Sequence, residues 1–223
     1  MASSTTVLVT QVTSITTALL AAGGILTLSL FDIPELQSQP ASRSLPQLRW
    51  MFSRGSHVFP QAAELSTAGF LYLAYAALPP GQRSFSQIAH AALSNTKVGY
   101  NVAAAGLLLA IVPFTQFAMV PTNFALMKMN EEKGGFRSAS SAKENAGSSK
   151  PGQRSAEDSV NSKGETSQFT DLSGPQEETT QKSTPAEDRR ANELLGKFAL
   201  LNYGRAALVG GGAVVGLLAA LLP

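Results

Sequence analysis

Residues 98–127 decide the fold of this chain, and they read VGYNVAAAGLLLAIVPFTQFAMVPTNFALM. The stretch is 30 residues long and contains no Asp, Glu, Lys or Arg. An α-helix needs about 20 predominantly apolar residues to cross the hydrocarbon core of a bilayer. We therefore expect this stretch to form a membrane-spanning helix.

Three further apolar runs lie elsewhere in the chain. Residues 6–31 and 206–223 carry no charge, and residues 55–78 carry Glu64 as their only carboxylate. The first run is longer than the core of a typical signal peptide and follows no Lys or Arg, so we expect it to be retained as a span. Four spans predict an all-α integral membrane protein, built as a four-helix bundle.

Prolines mark the expected ends of these runs. Pro34 follows the first run, Pro79 and Pro80 close the second, and Pro121 closes the third. Proline cannot continue a helix cleanly, so each position is a predicted helix boundary.

Residues 131–190 have a different composition and hold 20 of the 32 charged residues. They are rich in Ser, Thr, Gly, Glu, Lys and Gln, with few large apolar side chains, which is typical of disorder. The chain is thus divided into three helices in 1–130, a long disordered insert in 131–190, and a fourth helix in 191–223. The insert is interpreted either as a partner-binding segment or as a tolerated loop insertion.

Positive charge near the span ends predicts the orientation. The first loop carries Arg43, Arg49 and Arg54, and the third loop is also basic at both ends, whereas the second has only Arg83 and Lys97. Both basic loops are expected in the cytosol. The sequence predicts a multi-pass protein of the endomembranes, whose partner is the lipid bilayer.

Polar residues near the cytosolic ends of three spans form the candidate site. Ionisable or polar side chains inside a membrane are functional candidates by default. The antiparallel topology brings one set of such residues to the same face of the bundle, and they are Arg54, His57, Thr122, Asn123, Asn202 and Arg205. Glu64 and Tyr72 continue the helical face of His57 deeper into its span, and Phe198 shares the face of Asn202. The alternative is that the charged members are interfacial anchors that snorkel.

Several kinds of chemistry lack their usual residues. The chain has no cysteine and only two histidines, which are expected at opposite membrane faces, so we predict no metal site. No dinucleotide-binding, P-loop or nucleophile-elbow motif is present. No basic stripe interleaved with aromatic residues points to nucleic acid. We predict a protein without cofactors.

Three short motifs lie at the ends of the predicted spans. They are Pro121-Thr122-Asn123 with Leu126, the stretch FALLNYGR from Phe198 to Arg205, and Arg54-Gly55 with Pro60. These resemble the P-T-N-x-x-L, W-x-x-L-N-x-x-R and R-G-x-x-x-x-P signatures of the fungal anthrone oxygenases. Two positions depart from the pattern: Phe198 replaces a tryptophan, and Gln61 replaces a common proline.

The resemblance implies oxidation of a small hydrophobic aromatic polyketide, an anthrone, to an anthraquinone by molecular oxygen in secondary metabolism. Within that expectation His57 is the hypothetical base, and Glu64 is the second candidate. His57 is chosen from the topology and not from the family. Asn123, Asn202 and Arg205 would stabilise the oxyanion. The expected substrate contacts are Thr122, Phe198, Tyr72 and Arg54.

Two other classes of function compete with the oxygenase. A non-catalytic membrane protein could act as a scaffold or tether through its insert. A transporter is disfavoured because the spans show no inverted repeat and no pair of broken helices.

Overall fold

The described part of the chain is all-α. The computed structural model describes residues 4–147, 151–161, 163 and 169–222, and among these it contains no strand. The helices are α1 (Ser4–Thr27), α2 (Ile33–Gln37), α3 (Ala41–Ala76), α4 (Phe85–Ser94), α5 (Thr96–Leu109), α6 (Ile111–Phe114), α7 (Val120–Glu132), α8 (Ala139–Glu144), α9 (Ala156–Val160) and α10 (Pro185–Leu221). The predicted all-α class is confirmed.

Three helical stretches in the described residues are long and apolar enough to cross a membrane. They are Ser4–Gln37, Thr96–Glu132 and Pro185–Leu221. The predicted second span falls within α3, which is 36 residues long but is not one of the three. Gln61 and Glu64 lower the mean hydropathy of α3. The four-span bundle is therefore not confirmed.

The chain forms two compact units. The first unit comprises residues 4–26, 58–115 and 203–222, and the second comprises the described parts of 27–57 and 116–202. The apolar core of the first unit draws side chains from α1, α3, α5, α6 and α10, among them Ile25, Phe70, Leu108, Ile111 and Val209. Four long helices thus bury one shared core in that unit.

Two π-helical segments interrupt the long helices just before prolines. Leu28–Asp32 precedes Pro34, and Thr115–Met119 precedes Pro121. A proline has no N–H to donate to the carbonyl four residues back, and a π turn shifts that hydrogen-bond register. Pro34 and Pro121 were predicted to end their helices, and this is wrong. The prolines lie in the first turns of α2 and α7, and the chain stays helical past both.

The structure does not confirm a disordered insert. Its described residues include α8, α9 and the first turns of α10, which begins at Pro185 and not after 190. Arg137, Ser141 and Ser159 are each at most 1% exposed. Composition predicted disorder because apolar side chains are few here. These described residues are instead held by buried hydrogen bonds, such as that of Arg49 with Ser159, which composition does not reveal.

The insert also accepts hydrogen bonds from the first N–H groups of α3. The N–H of Ala41 donates to Oδ1 of Asp188 at 2.7 Å, and the N–H of Ser42 donates to Oγ of Ser183 at 3.1 Å. The first N–H groups of a helix have no partner within the helix, so these contacts replace a local cap. Because α3 begins this early, the arginines expected in the first loop are helical.

Candidate functional site

One face of α3 in the second unit carries an unusual set of side chains. Trp50, Arg54 and His57 follow one another at spacings of four and three residues, which places them on one side of the helix. Each is half-buried. Residues 169–173 of the insert contact this face.

Arg54 and Trp50 bind the backbone of the insert. Nη2 of Arg54 donates to the carbonyls of Asp171 and Ser173 at 2.5 and 3.1 Å. Nε1 of Trp50 donates to the carbonyl of Ser173 at 2.9 Å, and the Arg54 guanidinium lies 5.2 Å from the centre of the Trp50 ring. Arg54 was predicted to bind substrate, and the structure shows its guanidinium engaged with the insert.

Two serines of the insert hold the side chain of Asp171. The Asp171 carboxylate accepts hydrogen bonds from the hydroxyls of Ser138 and Ser173 and from the N–H of Ser173. Burial raises the pKa of the Asp171 carboxyl, but these hydrogen bonds and the charge of Arg137 outweigh it. The net pKa lies below its ordinary value of 3.8, so Asp171 is ionised at neutral pH.

The imidazole of His57 lies against an aromatic ring of the insert. The ring centres of His57 and Phe169 are 4.2 Å apart, and the ring planes are inclined by 31°. Nε2 of His57 is buried and has no hydrogen-bond partner among the described residues. A buried imidazole nitrogen without a partner is a candidate proton acceptor for a bound molecule.

The first turn of α7 carries two further buried polar atoms that have no hydrogen-bond partner among the described residues. Thr122 is 2% exposed, and its Oγ1 has no partner in the described chain; the same holds for Oδ1 of half-buried Asn123. Both residues follow the π segment Thr115–Met119, and such segments are frequent at functional sites. Buried polar atoms without partners are costly, so a native structure that keeps them calls for an explanation such as a ligand or a water molecule.

The middle of α10 supplies an aromatic side chain and an amide. Phe198 is 3% exposed and meets Phe52 of α3 edge to face, with ring centres 5.2 Å apart. Asn202 is fully buried, and its Nδ2 donates to the carbonyl of Phe198 at 3.2 Å.

The remaining predicted residues lie in the first unit. Glu64 is exposed on α3, and Tyr72 is half-buried. Arg205 is half-buried on α10, three residues beyond Asn202. The second unit thus holds His57, Thr122, Asn123, Phe198, Asn202 and Arg54, and the first holds Glu64, Tyr72 and Arg205.

Trp50 and Phe169 were missed by the sequence reasoning. Trp50 is the only tryptophan of the chain, and Phe169 is one of two aromatic residues in 131–190, with Phe136. An aromatic residue isolated in a polar segment was the available signal. In the described part of the chain no three His, Cys, Asp or Glu residues lie close enough to hold a metal ion.

Together these features define an all-helical membrane protein with buried polar groups near the ends of long apolar helices. The family model described as anthrone oxygenase matches residues 48–215, and the chain belongs to this family. The predicted family is confirmed. No curated protein and no solved structure matches the chain.

Proposed function

We propose that this protein is an anthrone oxygenase that works without a cofactor, converting a polyketide anthrone to an anthraquinone with molecular oxygen. One observation carries the proposal beyond family membership. In the second unit, His57, Thr122 and Asn123 each keep a buried polar atom without a partner among the described residues. Two of these residues belong to the P-T-N motif, and all three lie within the matched range.

The chemistry begins with removal of a proton. The methylene of an anthrone is acidic because its carbanion is delocalised over the carbonyl and the phenol rings. Nε2 of His57 is the proposed base, and it is buried without a partner among the described residues. The hydroxyl of Thr122 and the amide of Asn123 are proposed donors to the enolate oxygen. The Asn123 amide can present its nitrogen by a 180° turn.

Oxygen then reacts with the electron-rich anion. Electron transfer and recombination form a carbon–oxygen bond, and a proton returned from His57 gives a hydroperoxide. Loss of the second methylene proton with cleavage of the O–O bond gives the new carbonyl and water. One oxygen atom enters the quinone and the other leaves as water, so the substrate supplies all four electrons.

Asn202 and Phe198 are proposed to complete the site from α10. Asn202 is fully buried, and the Phe198 ring offers an apolar wall beside Phe52. Arg205 and Tyr72 stay predictions from the sequence. Glu64 receives no role in the proposal because its side chain is exposed.

We further propose that α3 crosses an endomembrane together with the three apolar helices and that the insert faces the cytosol. The shared apolar core of the first unit supports four crossings, and the basic residues of the insert support the orientation. A non-catalytic tether remains the competing function, but it rested on a disordered insert, which the structure does not confirm.

The test is oxygen-dependent conversion of an anthrone by membranes that contain the protein, against membranes with the empty vector. We expect a rate well above the slow oxidation in air. His57→Ala should lower the rate at least a hundredfold, within the range attributed to general-base catalysis. His90→Ala is the matched control, because His90 is the other histidine and is exposed on α4. Equal rates for the vector and the protein would refute the activity. Equal rates for His57→Ala and His90→Ala would refute the base.

A further inference from the structure

We propose that the insert completes the site, and that the ring of Phe169 contacts the flat aromatic substrate beside His57. This inference rests on the proposed function and deepens it, because it assigns a substrate contact to a segment of the chain that no motif marks. It is carried by contacts within the second unit. The residues concerned are Trp50, Arg54, His57, Phe169 and Ser173.

The position of Phe169 is fixed from α3. Arg54 and Trp50 both bind the carbonyl of Ser173, and Arg54 also binds the carbonyl of Asp171. These bonds hold the backbone two and four residues after Phe169. Hydrogen bonds to a charged donor are stronger than neutral ones, so Arg54 is the principal anchor.

Phe169 is held in place without being buried. Its ring lies 4.2 Å from that of His57, centre to centre, yet 70% of the residue is exposed. Burial of apolar area therefore gives little reason for an aromatic residue here. A flat polycyclic molecule could stack on the exposed part of the ring in the offset arrangement that aromatic pairs prefer.

The other aromatic residue of the insert shows the contrast. Phe136 is 7% exposed, and the Arg154 guanidinium lies 5.8 Å from the centre of its ring. Phe136 therefore has an ordinary packing role. Phe169 has no comparable burial, and its ring contact is to the proposed base. This difference points to a ligand for Phe169.

The first experiment compares Phe169→Ala, Phe169→Tyr and Leu172→Ala in steady-state conversion of an anthrone. Leu172 is the matched control, since it lies three residues away in the same segment and is 88% exposed. Loss of one stacking partner should raise KM for Phe169→Ala about two- to tenfold, with a smaller effect on kcat. Phe169→Tyr should keep the wild-type KM. If Phe169→Ala and Leu172→Ala share the wild-type KM, the inference is wrong.

The second experiment does not depend on turnover. Binding of 1,8-dihydroxyanthraquinone to the purified full chain in lipid nanodiscs is measured against empty nanodiscs, and Phe169→Ala should weaken it by the same factor. The wild-type protein could bind the anthraquinone but convert no anthrone, while Phe169→Ala binds it more weakly. That result would uphold the contact with Phe169 and refute the proposed oxygenase activity. Equal binding by both proteins would refute the contact itself.

Trp50 fluorescence distinguishes a substrate contact of Phe169 from a purely structural role. Trp50 is the only tryptophan, so its fluorescence reports whether the insert is bound to α3. Arg54→Ala should shift the emission to longer wavelength, because the hydrogen-bonded segment is released. Phe169→Ala should leave the emission unchanged. If Phe169→Ala shifts it as far as Arg54→Ala does, the ring holds the insert and the inference is overturned.

Discussion

The ring of Phe70 lies directly against the backbone of Gly216 in the core of the first unit. A Cβ atom added at Gly216 would overlap Cε1 and Cζ of the ring. Phe70 is fully buried in the apolar core, so the ring cannot swing out into solvent. The absence of a side chain at Gly216 is what lets α10 approach α3 at this level, as small residues do in membrane helix packing.

Gly216→Ala should therefore destabilise the protein, although alanine favours a helix more than glycine does. We expect a loss of about 1–3 kcal/mol, the usual cost of overpacking, seen as a lower Tm in detergent. Gly106→Ala is the control, because a Cβ there meets nothing within 4 Å. It should be neutral or stabilising, since alanine gains about 1 kcal/mol over glycine in a helix. A lower Tm for both variants would mean that the loss at Gly216 does not come from the contact with Phe70.

The apolar helices could be predicted because their signal is local. A long uncharged run such as residues 98–127 must satisfy its backbone internally in lipid, and a helix does so. The contacts of the described residues of the insert could not be predicted, because they join positions such as Trp50 and Ser173, which lie 123 residues apart. No local composition reveals which buried arginine will meet which serine.

A buried guanidinium holds α9 against α3, and its loss should release that part of the insert. Arg49 is 3% exposed; its Nε donates to Oγ of Ser159 at 2.9 Å and its Nη2 to the carbonyl of Ser159 at 2.7 Å. Lysine cannot reproduce this two-pronged contact. Arg49→Lys should raise the rate of tryptic cleavage after Arg154 about tenfold, since hydrogen bonds to charged groups contribute about 1.5–3 kcal/mol.

The control for this prediction is Arg43→Lys on the same helix, where the side chain is exposed. It should leave the rate of cleavage unchanged. Equal protection of wild type and Arg49→Lys would mean that Ser159 does not anchor the insert.

Acid should detach the insert from α3 through Asp171. The pKa of this carboxyl is below its ordinary value of 3.8 in the folded chain. Its contribution to stability is therefore fully present above about pH 4 and is lost as the pH falls through the lower folded value. Trp50 emission should stay constant from pH 7 to about pH 4 and move to longer wavelength below it.

Asp171→Asn tests the cause of this transition. The amide keeps the shape of the side chain but loses the charge, so its emission should be shifted already at pH 7 and vary less with acid. If the Trp50 emission of Asp171→Asn follows that of the wild type at every pH, the acid-sensitive group is another residue. Glu178 is one such group, because its hydrogen bond to Lys182 also lowers the pKa of its carboxyl.

The candidate site was predicted in part. Residues with a signal in their local sequence were found, whereas contacts between residues far apart in the chain were not. The polar residues of α7 and α10 stood out because they interrupt apolar runs. Arg54 also stood out, but its partner in the insert could not be known, so it was assigned to substrate. Phe169 stood out only as an isolated aromatic residue, and its contact with His57, 112 positions earlier in the chain, could not be known.

The hydroxyl of Thr122 should contribute to activity and reduce stability. Its Oγ1 is buried without a partner in the described chain, and burying such a hydroxyl costs about 1–3 kcal/mol in proteins. Thr122→Val replaces the hydroxyl by a methyl group of similar size. We expect the unfolding free energy to rise by about 1 kcal/mol and anthrone conversion to fall at least tenfold, because one donor to the enolate is lost. Thr122→Ser keeps the hydroxyl and should retain most of the activity. If Thr122→Val lowers both Tm and activity, the hydroxyl has a partner in the folded protein and its role is structural; if it raises Tm and leaves the rate unchanged, Thr122 takes no part in the reaction.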